Sequence, residues 1–406
     1  MNTPLLPLAP DRARAWRHAR RVLAVRLDAA GDVLMTAPAI RALKASAPSR
    51  SLAVLTSSAG AAAAALIPEV DEVLVYDAPW MKASPLRTTP ANDLEAVEML
   101  RRRTFDAAVI FSVYSQDPLP AAVYCYLARI PLRLAHARDK AYQLLTDPVP
   151  DPEPGSFVRH EVQRQLDLVA AVGCRTDDER LAIRIGRAAS SRAKTLVGEL
   201  GLDAAARPWA VLHPGATAPS RRYPPKMFAA AADALISKHG WDLVIAGSAS
   251  DRAVSDEVIG AMNEYAPSIV GRLDLEELAG LLSRSPMLIA NNSAPAHVAA
   301  AVGTPVVSLY ALTNPQHTPW GVPSRVLFHE VPCQGCGSSV CPEGHHACLR
   351  MVTPDCVVAA ALDLAGDRLG VTAEPSLGPL HASGELRSSE SIPEPLSRAG
   401  GMPNAR

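Results

Sequence analysis

Residues Met287–Pro315 read MLIANNSAPAHVAAAVGTPVVSLYALTNP. An apolar run, Met287–Ala290, stops at the polar turn Asn291-Asn292-Ser293-Ala294-Pro295. A helical patch with His297 near its start follows, then Gly303-Thr304-Pro305 and a second apolar run, Val306–Ala311. Short apolar runs bounded by turn residues, with a helical period between them, spell strand, turn, helix, strand. In an open α/β sheet, ligands bind where strands end and helices begin, because unpaired backbone N–H groups and the helix dipole there favour anions. The turn at 291–297 has that address, and the phosphate end of a nucleotide donor is the expected ligand.

Upstream, the same grammar repeats. Trp209–His213 reads as a strand, Pro214–Arg222 as a loop, and Pro224-Pro225 opens a helix that Gly240 ends. Leu243–Ala246 is the next strand, then a helix opened by Asp251, a short strand at Ile269-Val270 and a helix at Leu275–Ser283. With the two strands of the 287–315 stretch, five are expected in this half.

The other half opens with VLAVRL from Val22, a turn at Asp28-Ala29-Ala30-Gly31-Asp32 and a helical period to Ser46, which begins a βαβ unit. Strands are expected at Ser51–Thr56, Glu72–Tyr76 and Asp106–Phe111, and helices at Leu94–Arg103 and His160–Val172. Residues 78–93, with prolines at 79, 85 and 90, read as a loop over a pocket, and DPVPDPEPG at 147–155 breaks the period. Neither half begins with Gly-x-Gly-x-x-Gly, which argues against a typical NAD dehydrogenase.

A length of 406 residues exceeds one ordinary core, so two domains follow. The expected organisation is a basic arm at 1–20, a Rossmann-like domain at 21–175 and an interdomain connection at 176–207. A second Rossmann-like domain at 208–366 carries a cysteine knuckle at 333–348, and a disordered tail occupies 367–406. Forty basic against 41 acidic residues leave no global field, which argues against nucleic-acid binding. No apolar run reaches the roughly 18 residues of a membrane span, and the N-terminus has no apolar block of signal-peptide length, so cytoplasmic residence is expected. The arm, with arginines at 12, 14, 17, 20 and 21, reads as a solvated tail; the alternative is peripheral contact with anionic lipid at the inner face of the membrane.

Three strand-end loops compete for the chemistry. Asp32 is either an acid stabilised by a helix N-terminus or a general base for an acceptor hydroxyl, and spacing leaves both open. Gly215, Ala216 and Thr217 let backbone approach a ligand, and Arg221 and Arg222 offer forked donors suited to phosphate. His297 is a half-buried packing residue or a donor to a leaving phosphate. Cys333, Cys336, Cys341 and Cys348 form C-x2-C-x4-C-x6-C, read as structural zinc, as reduced thiols packing a knuckle, or as a redox-sensitive pair.

Four ordered motifs resemble glycosyltransferase family 9, whose best-known members are ADP-heptose:lipopolysaccharide heptosyltransferases. They are Val22–Pro38 with Gly31-Asp32; Leu212–Ala216; Asn292-Ser293-x-Pro295-x-His297 with Gly303-Thr304-Pro305; and the cysteine knuckle. The resemblance covers about residues 20–365. It implies a GT-B fold, two Rossmann-like domains facing a central cleft, with the acceptor held by the first and the nucleotide sugar by the second. It also implies inversion at the anomeric carbon, no catalytic metal, and Asp32 as the base. Arg221 falls where the family commonly has lysine, Tyr223 where tryptophan is usual, and Asn292-Ser293-Ala294 where Asp-Thr-Gly is usual; Asp251 would face the ribose. ADP-heptose is the expected donor and a glycolipid or glycan the acceptor. The second reading is a GT-B sugar-nucleotide epimerase, the third a non-catalytic nucleotide-sugar-binding protein.

Overall fold

The computed structural model describes residues 10–369, apart from 83, 85–88 and 156. The first domain comprises α1 (Pro10–His18), β1 (Arg21–Arg26), α2 (Ala30–Ser46), β2 (Ser51–Thr56), α3 (Ala61–Leu66) and β3 (Glu72–Val75). It continues through α4 (Ala91–Arg102), β4 (Ala107–Ile110), α5 (Leu119–Leu127), β5 (Leu132–Ala137), β6 (Asp147–Pro150) and α6 (Glu161–Ala170). The second contains α7 (Arg187–Glu199), β7 (Trp209–His213), α8 (Pro225–His239), β8 (Asp242–Ile245), α9 (Arg252–Ala261) and α10 (Leu275–Leu282). It ends with β9 (Leu288–Asn291), α11 (Ala294–Ala301), β10 (Val306–Leu309), β11 (Ser324–Leu327), α12 (Ala347–Arg350) and α13 (Pro354–Leu369).

Both sheets are parallel, ordered β3-β2-β1-β4-β5-β6 and β11-β10-β9-β7-β8. Parallel strands need covering on both faces, which explains the near-continuous apolar runs. In β1, Val22 and Ala24 enter one core while Leu23 and Val25 enter another, packed by α4 and α5. The first of these cores does not stop at the domain boundary. It runs from Trp16, Val22 and Ala24 through α2 and α6 to α10, α11, Val211 and Leu288. The two domains are thus joined by continuous apolar packing.

Several expectations need correction. The N-terminal arm is not a solvated tail where it is described: α1 is docked, Trp16 is fully buried, and Arg50 donates to the carbonyls of Trp16 and Ala19. Residues 1–9 lie outside the described residues. Pro148 and Pro150 do not end the sheet, because β6 is an edge strand, where proline's missing N–H is tolerated, and both prolines point outward. The fifth strand of the second sheet is β11; residues 269–270 make no strand, only an isolated bridge beside them between Ile245 and Ser268. In the 78–93 loop, 83 and 85–88 lie outside the described residues and α4 begins at Ala91. The tail expected from 367 begins instead with the end of α13, and 370–406 lie outside the described residues. Within 176–207, Arg184 bonds to Leu66 of the first domain, whereas α7 packs on α10 of the second through Gly280, where a Cβ would stand 3.1 Å from the Ala189 carbonyl. No helix among the described residues is long and apolar enough to cross a membrane.

Candidate active site

The starts of α2 and α11 meet face to face. A Cβ at Gly31 would lie 2.8 Å from His297 Cδ2 and 3.5 Å from Ala294 Cα, so the glycine permits the close approach of the two domains. Asp32, in the first turn of α2, therefore sits at the seam with its side chain 23% exposed. Behind it lies Arg26, the last residue of β1, which is fully buried and turned toward three carboxylates. Its Nε is 2.9 Å from Asp28 Oδ2, one terminal nitrogen donates to Glu161 Oε1 at 2.7 Å, and the other reaches Asp32 Oδ1 at 3.4 Å. Burial opposes its charge, but Asp28, Glu161 and Asp32 outweigh that and hold its pKa above the ordinary arginine range.

The electrostatics separate the two acids of the turn. Burial raises Asp32, but Arg26, His317, His297 and Arg221 overcome it and hold the carboxyl below its usual range. Burial pushes Asp28 up to about 6, despite Arg26 and a 2.6 Å hydrogen bond from Gln116, with the Asp32 charge adding to the rise. Across the seam, burial drives His297 down to about 3, helped by His317, so its imidazole is neutral and its Nδ1 is buried without a partner. His317 is also lowered, by burial first, while Asp32 and Glu161 pull the other way.

On the second domain, the 214–222 loop is fastened to the end of β9 by Asn291, which donates to the Pro214 carbonyl at 2.7 Å and accepts from Tyr223 N–H at 2.9 Å. Ser293, the residue before α11, donates weakly to the Gly215 carbonyl at 3.3 Å, and Ala294 opens the helix. Asn292 is buried and its Oδ1 has no partner. Arg221 faces the site: a terminal nitrogen reaches the Asn314 amide oxygen at 3.1 Å, with the amide oriented so that its nitrogen donates to Thr313. Arg222 is turned back, Nε donating to the Ala216 carbonyl at 2.7 Å, and Thr217 is exposed in the loop. The Asp251 carboxylate accepts from Ser248 N–H and Oγ–H and lies over Gly215, where a Cβ would fall 2.1 Å from Oδ1. The Asp251 side chain thus closes the short turn 249–251 that leads into α9. Tyr223 is fully buried against Phe228 and bonds the Val352 carbonyl, so it packs the core.

The first domain contributes an open polar pocket lined by Gln116, His136, Arg138 and Asp151, at the ends of β4, β5 and β6. Tyr76, Trp80 and Tyr124 meet in tilted and edge-on contacts at the 78–93 loop, and Lys82 reaches Ser339 of the second domain at 3.0 Å. The four knuckle cysteines and both neighbouring histidines line one small cavity. Cys333 Sγ lies 3.7 Å from His345 Nε2, and all the thiols are unpaired. Among the described residues no group of three or more His, Cys, Asp or Glu side chains is gathered to hold a metal ion. The knuckle does brace the arginine loop: Ser220 bonds Ser338 and Ser339, and His346 bonds the Ser220 carbonyl.

The structure brings together Asp32, His297, Ser293, Ala294, Asn292 and Arg221, leaves Arg222, Thr217, Gly215 and Asp251 along the loop and rim, and sets the cysteines behind. Four residues were not read from the sequence: Arg26, Glu161, Asn291 and His317. Arg26 had a signal, since a cation ending an otherwise apolar buried strand requires partners. Asn291 carries only a turn signal in the sequence. His317 stands two residues past the quoted stretch, and nothing local marks Glu161.

Residues 94–347 match the family described as glycosyltransferase family 9 (heptosyltransferase). Over 353 residues the chain is 25% identical to lipopolysaccharide heptosyltransferase 2 of Salmonella typhimurium, spanning 83% of this chain and 96% of that protein. A glycosyl transferase family 9 structure from Veillonella parvula superposes with a TM-score of 0.72 at 21% identity, covering 86% of this chain and 98% of that one. The ADP-heptose lipopolysaccharide heptosyltransferase II of E. coli does so at 0.65 and 23%, covering 86% and 99%. These two share the fold. The chain belongs to glycosyltransferase family 9, the heptosyltransferases, and is a glycosyltransferase of GT-B fold.

Proposed function

We propose that this enzyme is an inverting heptosyltransferase that moves heptose from ADP-heptose to a lipopolysaccharide core or related glycan without a catalytic metal, at the cytoplasmic face of the membrane. The donor and acceptor are those in the names of its Salmonella and E. coli relatives. The observation that carries the reading is Asp32: an ionised, partly exposed carboxylate on the first domain, set against the start of α11 and Arg221 on the second.

In this reading the acceptor hydroxyl oxygen bonds to the anomeric carbon as the bond from that carbon to the diphosphate breaks, and the hydroxyl proton passes to Asp32. A carboxylate held low is a weak base in the ground state, but the attacking oxygen becomes far more acidic as its new bond forms. The electron pair leaves with the diphosphate, whose charge is met by Arg221, the Ser293 hydroxyl and the backbone N–H groups opening α11, while Arg222 holds the loop through the Ala216 carbonyl. His297 stays neutral and adds no charge. Asn292 offers an amide where a carboxylate is usual in the family, which removes a repulsion from the phosphate side.

Asp32→Asn tests this. Transfer should fall by about 1,000-fold while ADP binding is retained; an unimpaired turnover rate removes Asp32 from the role. Incubation with ADP-heptose alone should return it unchanged, and an isomerised sugar would instead favour the epimerase reading.

A further inference from the structure

The segment after β10 crosses from the second domain to the first and is fastened at several points. Glu161 N–H donates to the Gln316 carbonyl at 3.0 Å, and His160 Nε2 bonds the Thr318 carbonyl at 2.9 Å. The Trp320 ring lies 4.5 Å from the His160 ring and its N–H donates to the Glu179 carbonyl at 2.8 Å. On its own domain the strap is tied to Tyr310, which accepts from His317 N–H at 3.1 Å, and to Arg221 through Asn314. Between these ties His317 enters the carboxylate cluster. Its Nε2 is 3.9 Å from Asp32 Oδ1 and 4.0 Å from Glu161 Oε2, and both His317 Nε2 and Glu161 Oε2 are buried without a hydrogen-bond partner.

Such distances are too long for a hydrogen bond and too short for independence. Contacts of this kind tighten when a site fills. Arg26 and His317 both approach Oδ1 of Asp32, one from each domain, so Oδ2 is the oxygen left for an acceptor proton. We infer that His317 is a positioning residue: carried by the strap, it orients the Asp32 carboxylate and couples the base to docking of the second domain. The inference rests on Asp32 being the base, and the experiment below separates the two.

The groups facing His317 are Asp32 from α2, Glu161 and His160 from α6, Arg26 from β1, His297 from α11 and Arg221 from the loop. Arg26 and Arg221 are cations, and burial leaves His160 and His297 neutral at pH 7, so the two carboxylates are its available acceptors. Loss of His317 removes one of the groups that hold Asp32 low, so the acid limb of the rate profile moves to higher pH.

The test measures kcat, KM for ADP-heptose and the pH profile of kcat for His317→Ala and His317→Gln beside Asp32→Asn. Expected are a fall in kcat of about 10- to 100-fold for the alanine variant, a KM within about twofold, an acid limb displaced upward in both variants, and partial recovery of rate with glutamine, which keeps a donor but cannot titrate. An acid limb at the wild-type position overturns the inference, whatever happens to the rate; if alanine fails to fold, the glutamine profile decides it. Wild-type turnover by Asp32→Asn removes the base and this inference together, whereas an inactive Asp32→Asn with an unmoved limb in the His317 variants removes only the latter.

Discussion

The starts of α2 and α11 are the same device used in opposite ways. Each is a buried parallel strand running into a helix N-terminus, and they touch across Gly31 and Ala294. The α2 end already holds its anion, Asp32, backed by Arg26. The α11 end holds none: Asn292, Ser293, Ala294, Pro295 and a neutral His297 surround N–H groups open to an anion from outside. A helix N-terminus favours negative charge in either case. In the proposed reaction, the difference gives the carboxylate to one domain and leaves the other free for the diphosphate.

Gly31→Val should erase the contrast by prising the ends apart, since a branched side chain cannot fit 2.8 Å from the His297 ring. Activity should fall more than about 100-fold, with the isolated ADP affinity less affected; steady-state rates beside calorimetric titration would check both. Arg221→Ala tests the other side alone. The loss of one charged donor should raise KM for the donor or lower kcat by about tenfold in all, and added salt should weaken the wild type more than the variant, so that the gap narrows as ionic strength rises.

A smaller effect distinguishes the buried acid from the buried imidazole. His297, at about 3 in the fold against an ordinary 6.5, binds fewer protons folded than unfolded, so its contribution to stability is present above 6.5 and is lost as pH falls toward 3. Asp28, raised to about 6 from 3.8, acts oppositely between those values, where the folded state holds the extra proton. His297→Gln should flatten the acid-side decline by up to about 1.4 kcal/mol per pH unit, and Asp28→Asn should steepen it over pH 4 to 6, as read from denaturant unfolding across pH. Smallest of all, chelation should leave turnover unchanged. Metal analysis of the purified protein separately decides whether the knuckle cysteines hold zinc; stoichiometric zinc that is lost with the fold would support a structural site, and its absence would leave reduced thiols.

How far the chain could be read depended on how local each signal was. The run 287–311 carries its own strand, turn and helix, and those elements stand where expected. Gly240 at φ +68 ends α8 as its position after a helical period implied. DPVP was harder, because two prolines deny a strand everywhere except at an edge, and a strand's place in the sheet order is not a local property. Trp16 reads as part of a basic tail because the core it joins also draws on α2, β1 and the later α6, far along the chain.

By itself the sequence determined the two-domain α/β architecture, the family, and the loops that carry Asp32, Arg221 and Ser293, since apolar period and turn chemistry are written residue by residue. Only the tertiary structure decided that Arg26 is the hub of three carboxylates, that Glu161 and His317 join it from residues 135 and 291 positions away, and that Gly31 lets the starts of α2 and α11 meet. Burial and charge pairing act through space, and no spacing along the chain encodes which buried charges will share one guanidinium.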